Sequence, residues 1–346
     1  MNIGRKALSL ALTLLLLVSL FAGIGVPAGA AALPAYTPAG TVTELVSGGT
    51  AAAGAYSVST AEELRALSAW VNAGNTGEGF TFYLTADIDL GGEASPWVPI
   101  GQLDGSLGDL DVKAAFFGTF DGQGHSVTGL WIGGDDYATG NGRYNTGNGL
   151  FGQNFGLVEN VFVEAEIHTY RQGGAIAGLN FGTVSAFASA GSISANGGGG
   201  TRGTGGIVGS NYGTVENCWS RASVHNDYRR AGGIAGYNAA EVVDEPAHGT
   251  WNTKEETHLS ASPVDYKGSI LNCAFYGYAS SANQGYSGGI AASCDAGCSI
   301  TNCYWAEGSN ADHVGYYQEA EGATHCSGRR PSPIRGAGTA LWCPHG

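Results

Sequence analysis

Basic residues are scarce in this sequence. The 346 residues include 15 lysines and arginines against 29 aspartates and glutamates, so the formal net charge is −14. A surface this acidic repels phosphate backbones and anionic lipid headgroups, which argues against nucleic acid as a partner. Lysine clusters that would hold acidic sugars are lacking too, because the lysines after residue 30 are only Lys113, Lys254 and Lys267.

Two further shortages narrow the fold and the chemistry. Charged residues make up only 13% of the chain against 43% hydrophobic residues, a composition too apolar for a disordered protein. None of the eight histidines is followed by glutamate, so the His-Glu-x-x-His motif of zinc peptidases is absent. Glycine is abundant, with 59 residues, and each glycine weakens a helix by about 1 kcal/mol relative to alanine. The composition therefore predicts a mostly β fold.

The N-terminus has the features of a secretory signal peptide. Arg5 and Lys6 precede an apolar run that starts at Ala7, and the small residues Ala28 and Ala30 fit the cleavage rule. The alternative is a membrane anchor, although polar residues interrupt the run. We predict a signal peptide over 1–30, and hence a secreted or cell-surface protein with no stable membrane span after cleavage.

The seven cysteines lie between Cys218 and Cys343. An exported chain can form disulfides, but an odd count leaves at least one thiol free. The spacing of Cys294 and Cys298 would let them close a small loop. No zinc-ligand spacing is convincing, and we predict no metal site.

One short helix precedes a repeated region. Ser59-Thr60-Ala61-Glu62 has the pattern of a capping box, and apolar residues follow at helical spacing, which predicts a helix over about 60–72. The alternating stretch 80–90 predicts a strand.

A Gly-rich motif recurs from residue 117 onward. Gly206-Ile-Val-Gly-Ser-Asn-Tyr-Gly213, for example, leads into Thr214-Val-Glu-Asn-Cys218. Alignment on the second segment gives a column of residues 26 to 55 positions apart: Gly129, Asn160, Ala186, Asn217, Asn272 and Asn302. A repeat of about 20–50 residues indicates a solenoid or a propeller, and these units are too short for four-stranded blades. The prediction is an all-β parallel β-helix with a short N-terminal capping helix.

The columns of this alignment have predicted structural roles. Asn160, Asn217, Asn272 and Asn302 are expected to form a ladder of amide hydrogen bonds at a turn. The next column is expected to stack inward: Leu130, Val161, Phe187, Cys218, Cys273 and Cys303. A glycine column suits positions with positive φ or close backbone packing: Gly152, Gly178, Gly209 and Gly236.

The predicted organisation follows from these features. After the signal peptide come a flexible segment (31–54), an N-terminal cap of helix and first strands (55–116), the β-helix repeats (117–305) and a C-terminal tail or cap (306–346). An insertion at 239–268 interrupts the repeats, because the step from Asn217 to Asn272 is longer than the others.

The motifs resemble the GLUG-motif surface proteins of bacteria, named after units like Gly149-Leu150-Phe151-Gly152. The resemblance covers about 55–305 and includes, in the family's order, the segments 84–90, 97–101 and 117–124. It implies a right-handed β-helix of the pectate-lyase kind on a secreted or surface-held protein, sometimes attached to IgA-cleaving metallopeptidases or adhesive arrays. No catalytic residue belongs to the motif, so none is carried over. This chain departs from the family in its lone-domain length, its insertion and its Cys-containing tail.

Three functions remain open on the sequence. The first is non-catalytic adhesion or carbohydrate binding, with a surface glycan or a host or cell-envelope component as partner. The insertion would supply the ligand-binding residues His248, Trp251, Glu255 and His258, unless it is a structural flap.

The second function is a polysaccharide hydrolase or lyase, with Asp87 and Asp121 as the acids to test. The third is a fragment of a larger surface protein. No cofactor is predicted, and the acidic loops could at most hold Ca²⁺ loosely: Asp104, Asp109, Asp111, Asp135 and Asp136.

Overall fold

The computed structural model describes residues 33–48, 52–103, 114–133, 147–197, 203–243, 264–282, 286–306 and 316–317. This described part of the chain is mostly β, with parallel sheets and few helices. Its helices and strands all belong to the larger of two compact units, which comprises residues 37–331 and 341–346. Within the described ranges, no helix has the length and apolar character needed to cross a membrane.

Three parallel sheets contain most of the strands. Sheet S1 has the spatial order β1 (Gly40–Thr41), β2 (Ala55–Val58), β3 (Thr81–Leu84), β5 (Thr119–Asp121), β8 (Leu157–Glu159), β11 (Thr183–Ser185), β15 (Thr214–Glu216), β22 (Ser269–Leu271) and β27 (Ser299–Thr301). Sheet S2 has the order β7 (Phe151–Asn154), β10 (Ala177–Asn180), β14 (Val208–Asn211), β19 (Ala235–Asn238), β26 (Ala291–Cys294) and β29 (Tyr316–Tyr317).

The third sheet, S3, contains the longest strands. Its order is β4 (Ile88–Asp89), β6 (Ser126–Ile132), β9 (Phe162–Thr169), β12 (Ala188–Ala195), β16 (Trp219–Ser220), β23 (Ala274–Phe275) and β28 (Tyr304–Trp305). Two more strands extend it beside β12, namely β17 (Ser223–Asn226) and β24 (Tyr278–Ser281).

Smaller elements complete the described fold. A short parallel sheet contains β13 (Thr204–Gly205), β18 (Ala231–Gly232) and β25 (Ser287–Gly288), and β20 (Ala240–Val243) pairs antiparallel with β21 (Val264–Lys267). The helices are α1 (Val42–Ser47), α2 (Ala61–Asn72) and one 3₁₀ turn, Gly92–Ala94.

Each repeat passes through the sheets in a fixed order. The chain leaves S2, turns at a glycine, forms a three-residue strand of S1, turns again and enters S3, as in β14, β15 and β16. The middle residue of each S1 strand is buried, and these residues stack in one apolar column: Val158, Val184, Val215, Ile270 and Ile300. The repeats therefore form layers, each of which covers the apolar interior of the one before.

The layering starts earlier than the repeat motif. Strands β1, β2 and β3 belong to S1, so the segment over 55–116 shares a sheet with the repeats. The segment over 31–54, predicted to be flexible, contains β1 and α1. Thr41 Oγ1 accepts the N–H of Glu44 at 3.2 Å, and Glu44 Oε2 accepts the N–H of Thr41 at 2.8 Å. This reciprocal cap stabilises a helix of only six residues.

The cap of α2 lies one residue further along than the sequence pattern indicated. Thr60 accepts the N–H of Glu63 at 3.1 Å, and Glu63 Oε2 accepts the N–H of Ser59 at 2.7 Å. The strand predicted over 80–90 is divided into β3 and β4, which enter different sheets.

The turn between S1 and S3 has a left-handed residue in each layer. Asn160, Asn217, Asn272 and Asn302 have φ of 52–55°, and Ala186 has φ of 54°. Asn272 Nδ2 donates to Asn217 Oδ1 at 3.1 Å, and Asn302 Nδ2 donates to Asn272 Oδ1 at 3.3 Å. Asparagine suits this position because its short polar side chain tolerates positive φ.

The register places Gly129 and Leu130 outside the columns expected for them. Asp121 pairs with Glu159 and Ser126 pairs with Phe162. The turn between S1 and S3 therefore has four residues in this layer, whereas it has two in the next. Gln123 and Gly124, both at positive φ, accommodate the extra residues in the turn. Leu130 lies further along the S3 strand β6, beyond a register shift after Val127, and pairs with Ala165 instead of Val161.

A second asparagine ladder is buried where S2 meets S1. It contains Asn154, Asn180, Asn211 and Asn238, each 0% exposed. Each Nδ2 donates to the Oδ1 of the next asparagine, at 2.8, 2.8 and 2.9 Å. The same amides also donate to the glycine carbonyl at the S2–S1 turn, with distances of 3.3, 3.2, 3.1 and 3.1 Å at Gly156, Gly182, Gly213 and Gly268. One side chain thus joins two layers and two sheets.

The glycine column Gly152, Gly178, Gly209 and Gly236 is explained by close packing, since none of the four has positive φ. A Cβ atom on Gly178 would overlap the backbone of Gly147, and one on Gly236 would overlap the backbone of Thr204. Other side chains are excluded because a neighbouring segment lies directly against the S2 strands.

Replacement of a buried ladder asparagine is expected to destabilise the fold strongly. Asn180→Leu removes the partner of the Asn154 amide and the donor to Asn211, Gly182 and Thr214. At about 1–3 kcal/mol for each buried polar group left unsatisfied, the loss in unfolding free energy should reach about 3 kcal/mol. Urea denaturation measures it, with Asn217→Gly as the control that keeps a residue tolerant of positive φ. Equal unfolding free energies of the two variants would refute the stabilising role of the buried ladder.

Ala186 is the strained member of the left-handed column. Ala186→Asn should raise the unfolding free energy by about 1 kcal/mol, because alanine pays a cost at positive φ that asparagine largely avoids. The new amide would also lie between those of Asn160 and Asn217, which occupy the adjacent layers. Ala186→Val should lower the unfolding free energy, because valine tolerates positive φ poorly. If the melting temperatures of the two variants shift in the same direction, the left-handed conformation of Ala186 does not limit stability.

Candidate ligand-binding surfaces

The residues predicted to bind ligand, His248, Trp251, Glu255 and His258, lie outside the described residues. So do the acidic loops that contain Asp104, Asp109, Asp111, Asp135 and Asp136. The structure does describe the base of the insertion, which is the antiparallel pair β20 and β21.

The base of the insertion packs on a stack of aromatic rings. Phe117, Phe155, Phe181 and Tyr212 stack with ring centroids 4.5–4.9 Å apart. Tyr266 of β21 lies edge-on to this stack, 5.1 Å from Phe181. The S2 strands β7, β10, β14, β19 and β26 are buried at every position. These strands therefore present no open face for a ligand.

A buried polar group fastens the first strand of the insertion. Asp295 accepts the Tyr237 hydroxyl at 2.6 and 2.5 Å and the N–H of Ala240 at 3.1 Å. Burial, together with the hydrogen bond to Asp295, raises the pKa of Tyr237, so this phenol stays protonated. The Arg230 guanidinium lies 4.4 Å from the centroid of the Tyr237 ring. These contacts fix the base of the insertion to the scaffold.

The outer face of S3 is open instead. Burial alternates along β9, with the odd-numbered positions from Val163 to Thr169 buried and the others exposed or half-buried. We call this outward surface the S3 face. It continues across β6, β12, β17 and β24, which pair in parallel with one another or with β9.

Aromatic side chains form one border of the S3 face. Phe162, Trp219 and Tyr304 lie in a single column, with Ala188 and Ala274 in the layers between them. Because the intervening side chains are small, the rings of Phe162 and Trp219 approach to 6.5 Å. Beside this column, Tyr276 is 52% exposed and Tyr278 is 45% exposed.

A polar column forms the opposite border of the S3 face. His168, Ser194, His225 and Ser280 pair in successive strands. Each histidine Nδ1 contacts a serine, His168 to Ser194 at 2.9 Å and His225 to Ser280 at 2.8 Å. Each Nε2 contacts a carboxylate, with distances of 3.2 Å to Glu166 and 2.8 Å to Asp227.

These contacts have the connectivity of a Ser-His-acid set without the surroundings that acyl transfer requires. Such a reaction needs backbone or side-chain donors directed at the developing oxyanion. The N–H groups along β12 and β17 are instead used in pairing with the neighbouring strands. The chemistry that this column supports is hydrogen bonding to a ligand through the carboxylates of Glu166 and Asp227, which the histidines orient.

The acids proposed for a hydrolase are engaged in turns. Asp87 Oδ1 accepts the N–H of Ser126 at 2.9 Å, and this bond lowers the pKa of Asp87. Asp89 accepts the N–H of Gly91 at 2.9 Å. Asp121 is 0% exposed and accepts the N–H of Gln123 and the amide of Asn160 at 2.8 and 3.0 Å. Within the described ranges, no group of three or more His, Cys, Asp or Glu side chains is arranged to hold a metal ion.

The aromatic column of the S3 face is visible in the sequence as a column of the repeat alignment. Its aromatic column, Phe162, Ala188, Trp219, Ala274 and Tyr304, follows one residue after the inward column that begins at Val161. Since side chains alternate along a strand, residues next to an inward column point outward. These outward-facing aromatic positions could therefore have been predicted from the repeat alignment.

Comparisons with known proteins concern the fold. No protein-family model matches the chain, and no curated protein matches it. The chain is similar to a crystal structure from Bacteroides ovatus described as a "putative immunoglobulin A1 protease", with 22% sequence identity and a TM-score of 0.52. The match covers 80% of this chain and 83% of that chain. The similarity shows a shared β-rich architecture.

Proposed function

We propose that this chain is a non-catalytic, secreted or cell-surface protein that binds a glycan through the S3 face, on a right-handed parallel β-helix of the GLUG-motif kind. The signal-peptide features of residues 1–30 support export. The fold shared with the Bacteroides ovatus structure, together with the repeat motifs, supports the scaffold.

The sheet order supports the β-helix. Successive layers add a strand to S1, S2 and S3 in turn, every pairing within these sheets is parallel, and S1 continues from Gly40 to Thr301. Parallel strands joined by crossover connections are right-handed in nearly all proteins, which supports that hand here.

The observation that carries the proposal is the pairing of an aromatic column with a polar column on one exposed sheet. A sugar ring has apolar C–H faces and a rim of hydroxyls. Aromatic rings provide large apolar contact at low entropic cost, and oriented polar groups fix the position of the ligand. Phe162, Trp219 and Tyr304 would contact ring faces, while the exposed carboxylates of Glu166 and Asp227, held by the histidines, would accept ligand hydroxyls.

Charge favours a neutral glycan. Glu164, Glu166 and Asp227 are exposed on or beside the S3 face, and among the described residues of β16, β17 and the turn between them Arg221 is the one exposed cation. With a chain charge of −14, this surface disfavours uronic-acid or sulfated polymers. Both columns run across the strands, so an extended chain along the stack would meet each of them in several layers.

Trp219→Ala combined with Tyr276→Ala should weaken binding of a soluble neutral polysaccharide at least tenfold, which is about 1.4 kcal/mol. Isothermal titration calorimetry over a panel of neutral and acidic polysaccharides measures the affinity. Tyr228→Ala, which removes an exposed aromatic ring outside the columns, is the matched control. Equal loss in the control, or tighter binding of acidic polymers, would contradict the assignment.

A second arm separates the S3 face from the insertion. Replacement of 244–263 by a short Gly/Ser turn keeps β20, β21 and the contacts of Tyr266 and Ala240. Since loop length has little effect on stability, the fold should persist. Retained binding supports the S3 face, whereas lost binding with an intact fold assigns the ligand to His248, Trp251, Glu255 and His258. Release of oligosaccharides from any polymer, abolished by His225→Ala, would overturn the non-catalytic function.

A further inference from the structure

The last layer that S1 and S2 share differs from the others at two coupled positions. In four layers an asparagine ends the S2 strand, and its Nδ2 donates to the glycine carbonyl before the S1 strand. In the layer of β26 and β27, the strand pairing places Cys294 beside Asn238. It also places Cys298 beside Gly268, because Ser299 pairs with Ser269. Both members of an Asn–Gly contact are thus replaced by cysteine together.

The two thiols contact each other across this corner. Their side chains are hydrogen-bonded to each other, and each is buried, at 5% and 8% exposure. Asn238 Nδ2 approaches Cys294 Sγ at 3.4 Å, so Cys294 takes the place of the next amide oxygen in the ladder. Hydrogen bonds from Cys298 and Asn238 lower the pKa of Cys294, and the contact with Cys294 raises that of Cys298. Cys294 is therefore the thiol that ionises first.

We propose that Cys294 and Cys298 form a disulfide in the exported protein, which replaces the Asn–Gly hydrogen bond of the other layers with a covalent link. The proposal rests on the export inferred above, since exported compartments favour disulfides. The oxidant is the disulfide of a thiol oxidoreductase.

The exchange balances in two steps. The Cys294 thiolate attacks one sulfur of the oxidant, forms a mixed disulfide and releases one thiolate. The Cys298 thiolate then attacks Cys294 Sγ, closes the bond and releases the second oxidant thiolate. Two protein thiols are oxidised, the oxidant disulfide is reduced to two thiols, and these take up the two protons.

The link would strengthen the attachment of the insertion. The residues between the cysteines include Asp295, which accepts Tyr237 and Ala240 and so holds the start of β20. A disulfide around this turn restricts the backbone that positions the Asp295 carboxylate. Loss of the link should therefore loosen the base of the insertion before it affects the earlier layers.

The other described cysteines provide an internal comparison. Cys218, Cys273 and Cys303 continue the inward column of Val161 and Phe187, and their Sγ atoms donate to main-chain carbonyls at 3.0–3.2 Å. The Cys273 thiol is also hydrogen-bonded to the thiols of Cys218 and Cys303 in the adjacent layers. The three differ from Cys294 and Cys298 in that they replace apolar residues one for one, as small buried hydrophobes do. We expect these three to remain thiols.

Peptide mapping tests the link directly. The protein, secreted from an oxidising compartment, is alkylated under denaturing conditions and cleaved with chymotrypsin and with a protease that cuts before aspartate. That protease separates Cys294 from Asp295, so the fragments stay joined only if Cys294 is in a disulfide. Joined fragments with Cys303 alkylated support the proposal. Alkylated Cys294 and Cys298, or a link to Cys303, overturn it.

A second arm is independent of export. Reduced protein is refolded in a glutathione redox buffer and mapped in the same way. If the fragments are joined in the refolded protein but the thiols are free in the secreted protein, the inference of export is contradicted and the disulfide is not. Free thiols in both samples would refute the disulfide. Reductant should lower the melting temperature of the native chain by about 2–4 °C. In the variant Cys294→Asn/Cys298→Gly, which restores the Asn–Gly pair and has no disulfide at this corner, reductant should not lower the melting temperature by this amount. An equal shift in the variant counts against the proposal.

Discussion

The hydrogen bonds of the buried asparagine ladder are the constraint on which the layered fold depends. Parallel pairing satisfies the backbone inside S1 and S2, and at the corner between these sheets each glycine carbonyl accepts one N–H from the S1 strand of the next layer, at 2.8–2.9 Å. Asn154, Asn180, Asn211 and Asn238 add a second donor to these carbonyls from the side chain, and they bond to one another along the stack. An amide has two N–H donors and an acceptor, so each asparagine can bond to the next along the column and still donate to the glycine carbonyl, whereas a serine has one donor and an ionised aspartate has none. Register errors are disfavoured because they would leave every buried amide in the column unsatisfied.

This corner also explains how a layer tolerates a long insertion. Between Asn238 and Gly268 the chain makes an excursion, yet Asn238 Nδ2 still donates to Gly268 O at 3.1 Å, as in the uninterrupted layers. Strands β22 and β23 then resume in register with β15 and β16. The insertion begins and ends at a corner where the Asn238–Gly268 hydrogen bond holds the two chain segments together. Closing the loop therefore costs little additional conformational entropy. Tyr266 and Asp295 bind its base to the surface of the stack.

Much of the scaffold could be predicted from the sequence, because its columns depend on short motifs. The left-handed asparagines at 160, 217, 272 and 302 and the start of α2 depend on local conformational preference, which the residue types display. The position of Gly129 was misjudged because its segment belongs to the S3 strand Ser126–Ile132, whereas the S1 strand of that layer is Thr119–Asp121, which pairs with Leu157–Glu159. The helix α1 was missed since six residues give too little periodicity. The buried ladder could have been found in the Gly-x-Asn-aromatic-Gly pattern, but burial of an asparagine is a tertiary property that the pattern alone does not reveal.

The S3 face differs from the corner in what its side chains must satisfy. At the corner, geometry permits asparagine and glycine and little else, so successive layers repeat the same residues. On the S3 face, the backbone is satisfied by strand pairing whatever the outward side chain is, and the layers vary: Phe162, Ala188 and Trp219 occupy one column. A surface free of folding constraints is where ligand-binding residues can differ without loss of the fold. The alternation of large rings with alanine in that column spaces the rings so that they form a continuous border. The scaffold thus fixes the spacing of the outward side chains, and the residue type at each outward position determines its chemistry.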